Sequence, residues 1–141
     1  MGRFISRDSL ARGMNVRDAV EADAERLAEL TGTPRDVMRN LVHDRTVRVA
    51  DDDGVEGFVS YDATDRTVHV TQLEGDPAVC ERLLEEPTRF AGREGMDVEL
   101  LVSEDDAATH EAIERTEFNE YGPGPRFDGT RTTRYRWESP D

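Results

Sequence analysis

The chain has 141 residues, with 32 acidic side chains against 18 basic ones, a formal net charge of −14, 35% apolar residues and one cysteine. That length suits one domain whose core needs no metal or disulfide, and one cysteine rules out an internal bridge and fits a reducing cytoplasm. The acid excess argues against nucleic acid as a partner, because arginines scattered among acids form no basic patch, and no apolar run is long enough to cross a membrane.

Met1 to Gly13 shows no clear periodicity and reads as a flexible tail, followed by one domain over residues 14–141. Val16 to Ala19 predicts a short strand, and Ala24, Leu27 and Ala28 recur at helical spacing. Thr33-Pro34-Arg35-Asp36 resembles a capping box that starts a second helix, with Met38, Leu41 and Val42 on one face. Thr46 to Ala50, Val55 to Tyr61 and Thr67 to Leu73 predict a meander joined by DDDG and DATD turns.

After Thr67 to Leu73, Glu74-Gly75-Asp76-Pro77 breaks the strand. Asp76 suits an N-cap and Pro77 a first helical position, so a third helix should begin at once, with a kink expected at Pro87. Asp97 to Val102 returns as a strand, which makes a right-handed parallel crossover. Ser103 to Asp106 should cap a fourth helix over Glu104 to Thr116. Two antiparallel strands close the chain, Phe118 to Tyr121 and Thr130 to Trp137. In the second, Arg134 and Arg136 alternate with Tyr135 and Trp137, a pattern read as an edge strand.

This order of elements from Met14 to Trp137 resembles the GNAT N-acetyltransferase superfamily, with MNVRDAVEADAERLAEL similar to its first strand and helix and ERTEFNEYGPGPRFDGTRTTRYRW similar to its terminal hairpin. The resemblance implies an α/β (α+β) fold with a mixed, mostly antiparallel twisted sheet of about six to seven strands and four helices. It also implies an N-acyltransferase that moves an acetyl group from acetyl-CoA to a small-molecule or peptide amine. In that family an R/Q-x-x-G-x-G/A loop holds the pyrophosphate. Here QLEGDPAVCERLL carries Gly75 alone, between Glu74 and Asp76, whose charges repel a pyrophosphate. The family's N-x-x-A-x-x-x-Y-x-x-x-G-F pattern, aligned on Phe118, puts Asp106 at the asparagine, Ile113 at the tyrosine that protonates the thiolate and Glu117 at the glycine.

For such chemistry Glu74 and His69 are the candidate bases, directly or through water, and Leu73, Gly75 and Ala78 are the backbone positions expected to face the cofactor. Each has an ordinary alternative: a solvated turn acid for Glu74, and a strand residue facing a helix or solvent for His69. Cys80 reads as a buried core residue, because Asp76 and Glu81 oppose any activation by the helix dipole. His43 and His110 show no ligand spacing, and Asp51-Asp52-Asp53 lacks the pattern of a calcium loop, so no metal is expected.

Every arginine-for-lysine choice has been made one way: the chain contains no lysine. Together with the acid excess this reads as a halophilic, cytoplasmic protein, since in molar salt the Debye length falls to about 3 Å and the self-repulsion is screened. The second function class is a non-catalytic ligand-binding or protein-interaction module on the same fold. A homodimer is left open.

Overall fold

A computed structural model describes residues 14–140, so the expected tail, Met1 to Gly13, lies outside the described residues. The strands are β1 (Asn15–Asp18), β2 (Thr46–Asp51), β3 (Val55–Thr64), β4 (Thr67–Glu74), β5 (Asp97–Ser103), β6 (Asn119–Pro123) and β7 (Thr132–Trp137). The helices are α1 (Ala24–Thr31), α2 (Arg35–Asp44), α3 (Pro77–Glu94) and α4 (Ala107–Glu114), and one turn of 3₁₀ helix precedes α1. Seven strands form one sheet in the order β1-β2-β3-β4-β5-β7-β6. β4 and β5 are parallel and every other neighbouring pair is antiparallel. The α/β class, the mixed sheet and the four helices are those implied by the resemblance.

Alternation of side chains along the strands divides the interior into two cores. Phe58 of β3 packs with Val47 and Val49 of β2, Ala24 and Leu27 of α1 and Met38 of α2. Its neighbour Val59 faces the other way, into a core with Val68, Val70 and Leu73 of β4, Val98, Leu100 and Val102 of β5, Leu83 and Leu84 of α3 and Ile113 of α4. Burying each such side chain stabilises the fold by about 1.5–3 kcal/mol, which is why the period-2 strand pattern survives on both faces. α1 and α2 pack on β2 and β3 and leave the same face of β4, β5 and β7 to loops.

Several local expectations are corrected. β7 is not an edge strand: it lies between β5 and β6, and β6 forms the edge. The alternation was read correctly, however. Tyr135 and Trp137 join the α3/α4 core, while Arg134 and Arg136 bind Glu99 on the other face at 2.9 and 3.2 Å. The face opposite α3 and α4 is thus held by ion pairs across the β5–β7 ladder, a pattern that single-strand alternation cannot distinguish from solvent. Thr33 does not cap α2. Pro34 stands at the N-cap without a side-chain bond, and the Thr31 hydroxyl instead closes the end of α1 onto the Leu27 carbonyl. The β3–β4 turn falls at Asp65 and Arg66, whose φ values of 54° and 63° make a two-residue hairpin and let β3 extend to Thr64.

Asp76 and Pro77 start α3 as expected, and the helix runs through buried Pro87 to Glu94. There the Thr88 hydroxyl donates to the Leu84 carbonyl at 3.1 Å, next to the carbonyl of Leu83 that the proline ring cannot pair.

Candidate functional site

β4 and β5 are in register from Thr67 opposite Asp97 to Val70 opposite Leu100, and beyond that point they part. On its other side β4 stays paired with β3 to the end, but with a slip: Tyr61 faces Val70 and Ser60 faces Gln72, so Thr71 bulges with no residue opposite. The bulge is pinned from within the sheet, because Thr71 Oγ1 lies 2.6 Å from Ser60 Oγ and 3.2 Å from the Ser60 carbonyl. A bulge increases local twist, and here it turns the end of β4 away from β5. A strand that loses one neighbour leaves alternate backbone N–H groups without a ladder partner, and these are donors for a ligand in the split.

On the face away from α3 and α4 lies a cavity of about 590 Å³. Its walls include His69, Thr71, Leu101, Ser103 and, from the loop before β7, Phe127 and Asp128. That loop comes close because Gly124 has no side chain: a Cβ there would stand 2.9 Å from Leu101 Cδ2. The Gly124 amide also bonds the Thr132 carbonyl at 3.0 Å, which fixes the approach.

His69 therefore borders the cavity, on the face opposite the α3/α4 core, flanked in register by Asp62 and Glu99. Both acids are held by arginines, Asp62 by Arg45 and Glu99 by Arg134 and Arg136. Glu74, the other candidate base, is paired with Phe58 at the far end of β4, on the order of 15 Å along the strand from His69. The two share a face of the strand but do not meet at one atom. Burial pushes the Glu74 carboxyl above its ordinary value of 4.5, and the neighbouring charge of Asp106 pushes in the same direction.

At the cofactor end, Leu73 is buried in the α3/α4 core and Gly75 makes the turn. Gly75 has φ +144°, and a Cβ there would lie 2.8 Å from Val79 Cγ1, so the glycine is required by the turn itself. The first turn of α3 is largely occupied by the chain's own groups. Pro77 has no N–H, the Val79 amide donates to Asp76 Oδ1 at 3.0 Å, and the Cys80 amide donates to the Asp76 carbonyl at 2.9 Å. The Ala78 amide is the remaining first-turn donor. Its surroundings are acidic, with Asp76, Glu74 and Asp106 close by. Burial first, then the charges of Asp106 and Glu74, push the Cys80 thiol up to about 12, and Cys80 is a buried core residue as expected.

Asp106 caps α4, accepting the Thr109 amide at 3.1 Å and the Thr109 hydroxyl at 2.6 Å. Ile113, at the aligned tyrosine position, is packed in the core. One polar pair was not singled out from the sequence. His110 of α4 has Nδ1 2.7 Å from the Tyr135 hydroxyl and Nε2 3.0 Å from the Ser103 carbonyl. A carbonyl only accepts, so Nε2 carries the proton and, in the neutral ring, Nδ1 accepts from Tyr135. Nothing in the spacing of residues 103, 110 and 135 announces this bridge between helix and sheet.

No protein-family profile and no curated protein sequence matches the chain. Solved structures do. The ribosomal-protein-S18-alanine N-acetyltransferase of Escherichia coli superposes with a TM-score of 0.72 at 14% identity, covering 91% of this chain and 96% of that one. A candidate acetyltransferase of the GNAT family from Desulfovibrio desulfuricans gives 0.70 at 24% identity, covering 89% and 98%. The PaiA N-acetyltransferase of Thermoplasma acidophilum, solved in complex with coenzyme A, gives 0.68 at 13% identity, covering 86% and 97%. A seven-stranded sheet parted between its parallel strands, with two helices on either face, is the GNAT fold, and this chain has it.

Proposed function

We propose that the chain is a GNAT-type N-acyltransferase that passes an acyl group from a thioester, acetyl-CoA in the first instance, to an amine. The observation that carries this reading is the split beyond Val70 and Leu100, with the Thr71 bulge on one bank and a cavity on the face opposite α3 and α4. A thioester entering from the α3/α4 side and an amine entering from the cavity would meet there.

The chemistry asks little of the protein beyond placement. The amine nitrogen attacks the acyl carbon, the C–N bond forms, the C–S bond breaks, and the nitrogen's proton goes to a base. Glu74, with its carboxyl raised toward neutrality, suits that task through water, and His69 at the cavity wall is the second candidate. Unpaired N–H groups of β4 would hold the oxyanion. Ile113 cannot protonate the departing thiolate, which takes its proton from solvent. The cofactor loop is degenerate: the Asp76 carboxylate fills the helix end that a pyrophosphate would use. Weak acetyl-CoA binding and slow transfer follow.

The same filled helix end favours a second reading, a ligand-binding or interaction module without catalysis. Calorimetric titration with acetyl-CoA in molar potassium chloride, alongside acetyl transfer to a panel of amines, separates the two. Micromolar binding abolished by Gly75→Pro supports the enzyme, and no binding at millimolar concentration supports the module. The acid excess without lysine supports a halophilic protein of a salt-filled cytoplasm.

A further inference from the structure

Phe127 stands at the rim of the cavity that crosses the split and is 55% exposed. A single exposed aromatic needs no explanation. This one is held rigidly, though. Its amide donates to the Thr130 carbonyl at 3.0 Å and its carbonyl accepts from the Thr130 amide at 2.8 Å. Between them Asp128 and Gly129 have φ values of +50° and +80°, the two left-handed residues of a tight hairpin turn. The ring is thus presented to solvent on a short, fully bonded turn, and shares the lining of the cavity with the apolar Leu101.

Charge narrows the occupant. Glu99 in the same cavity is neutralised by Arg134 and Arg136. Asp128, beside Phe127 on the turn, lines the cavity with no hydrogen bond or ion pair among the described residues, whereas Arg126 and Arg131, which flank the turn, line a separate pocket, so the unpaired charge on the cavity's own rim is negative. Such a rim draws cations in and disfavours anions. Deeper in, at the split, the walls are hydroxyls and the imidazole of His69. The lining thus combines an acidic group and an aromatic ring on the turn, the apolar Leu101, and polar groups at Thr71 and His69. The volume, about 590 Å³, lies within the roughly 300–1,000 Å³ of small-molecule sites.

We infer that Phe127 is a specificity-determining residue and that the acceptor is a primary arylalkylamine, its ring between Phe127 and Leu101 and its nitrogen directed at Thr71 in the split. Asp128 acts as a steering charge at the mouth and makes no contact in the bound state. This inference rests on the acyltransferase reading for the fate of the nitrogen, but the binding it requires can be measured without any transfer.

The test uses the full chain labelled with ¹⁵N in molar potassium chloride, titrated with 2-phenylethylammonium, n-butylammonium and 3-phenylpropionate. The expected result is amide shifts at Phe127 to Thr130 and at Thr71, with 2-phenylethylammonium bound about fivefold tighter than n-butylammonium, the contribution of one aromatic pair. The anion should bind more weakly than either. In Phe127→Ala, whose exposed site leaves the remaining spectrum unchanged, the preference should collapse to within about twofold. Asp128→Asn should slow association of both cations alike and leave the preference intact. Equal affinities in the wild-type chain, a preference that survives Phe127→Ala, or shifts confined to another face would each overturn the inference. Acetyl transfer is assayed in parallel. Phe127-dependent binding without transfer defeats the acyltransferase reading and leaves the aryl site standing. Transfer to n-butylamine as efficient as to 2-phenylethylamine, unaltered by Phe127→Ala, defeats the aryl inference and leaves the enzyme standing.

Discussion

Oδ1 of Asp76 accepts the Val79 amide at 3.0 Å, so the positive end of the longest helix faces a carboxylate of its own chain. A cap of this kind stabilises the helix by about 1 kcal/mol, and it also places a negative charge where a phosphate would lie. Asp76→Ser keeps an oxygen for the cap and removes the charge. Coenzyme A affinity should rise several-fold in dilute salt and less in molar salt, as calorimetry would report. Asp76→Ala should lower stability by about 1 kcal/mol in chemical denaturation. Unchanged coenzyme A affinity in the serine variant would mean that the carboxylate does not oppose the ligand.

Glu74 supplies a pH signature. Its folded-state carboxyl is raised above the ordinary value of 4.5, by burial first and by Asp106 second. A raised acid binds its proton more tightly in the folded chain, so its contribution to stability is complete below the unfolded value and is lost as the pH rises through the folded one. Glu74→Gln should therefore raise the melting temperature at neutral pH and lose that advantage below pH 4.5. If Glu74 is the base, the acid limb of the transfer rate should disappear in the same variant and the rate should fall about 10²–10⁴-fold. Asp106→Asn should move the limb to lower pH. An unaltered rate profile in Glu74→Gln would shift the role to His69.

Glu86 is a buried acid, bound by Arg48 of β2 at 3.0 Å and by Arg82 and Arg89 of its own helix at 3.1 and 3.4 Å. Removing the carboxylate leaves three guanidinium groups around one hole, although each keeps some access to water. Glu86→Ala should cost about 2 kcal/mol by denaturant titration. Glu86→Gln, which retains shape and acceptor, should cost less. Equal losses in the two variants would show that packing, and not charge, is what matters there.

Salt should act on the whole chain. With a formal charge of −14, repulsion at the surface weakens as the screening length shortens from about 10 Å at 0.1 M to about 3 Å at 1 M. The melting temperature should climb from dilute to molar potassium chloride. A flat or falling curve would defeat the reading of the composition as halophilic.

The parts of the fold that depend on local rules were legible in the sequence. Asp76-Pro77 named the start of α3, alternation marked β4 as a strand and named the two faces of β7, and the strand–helix–strand unit predicted the parallel crossover. The position of β7 inside the sheet was not legible, since Glu99 and its two arginines give β5 and β7 a polar face that looks like an edge. The bulge did leave a trace. Val68 and Val70 keep period two, and the next core residue is Leu73 instead of residue 72, a slip of one that marks an extra residue between them. Of the candidate site, the sequence supplied Glu74, His69 and Gly75. It could not supply Phe127 or the His110–Tyr135 bridge, because loop approach and helix-to-sheet contacts have no period.

β7 enters the sheet after both of its neighbours have been made: β5 and β6 precede it, and it lies between them. On the ribosome, β5 and β6 must therefore wait with open edges until Trp137 has cleared the exit. A nascent chain in that state exposes the β5 edge, with Val98, Leu100 and Val102 still uncovered on one side, to any passing strand. Synthesis paused or truncated before Thr132 should yield no partial domain, only material for chaperones or proteases.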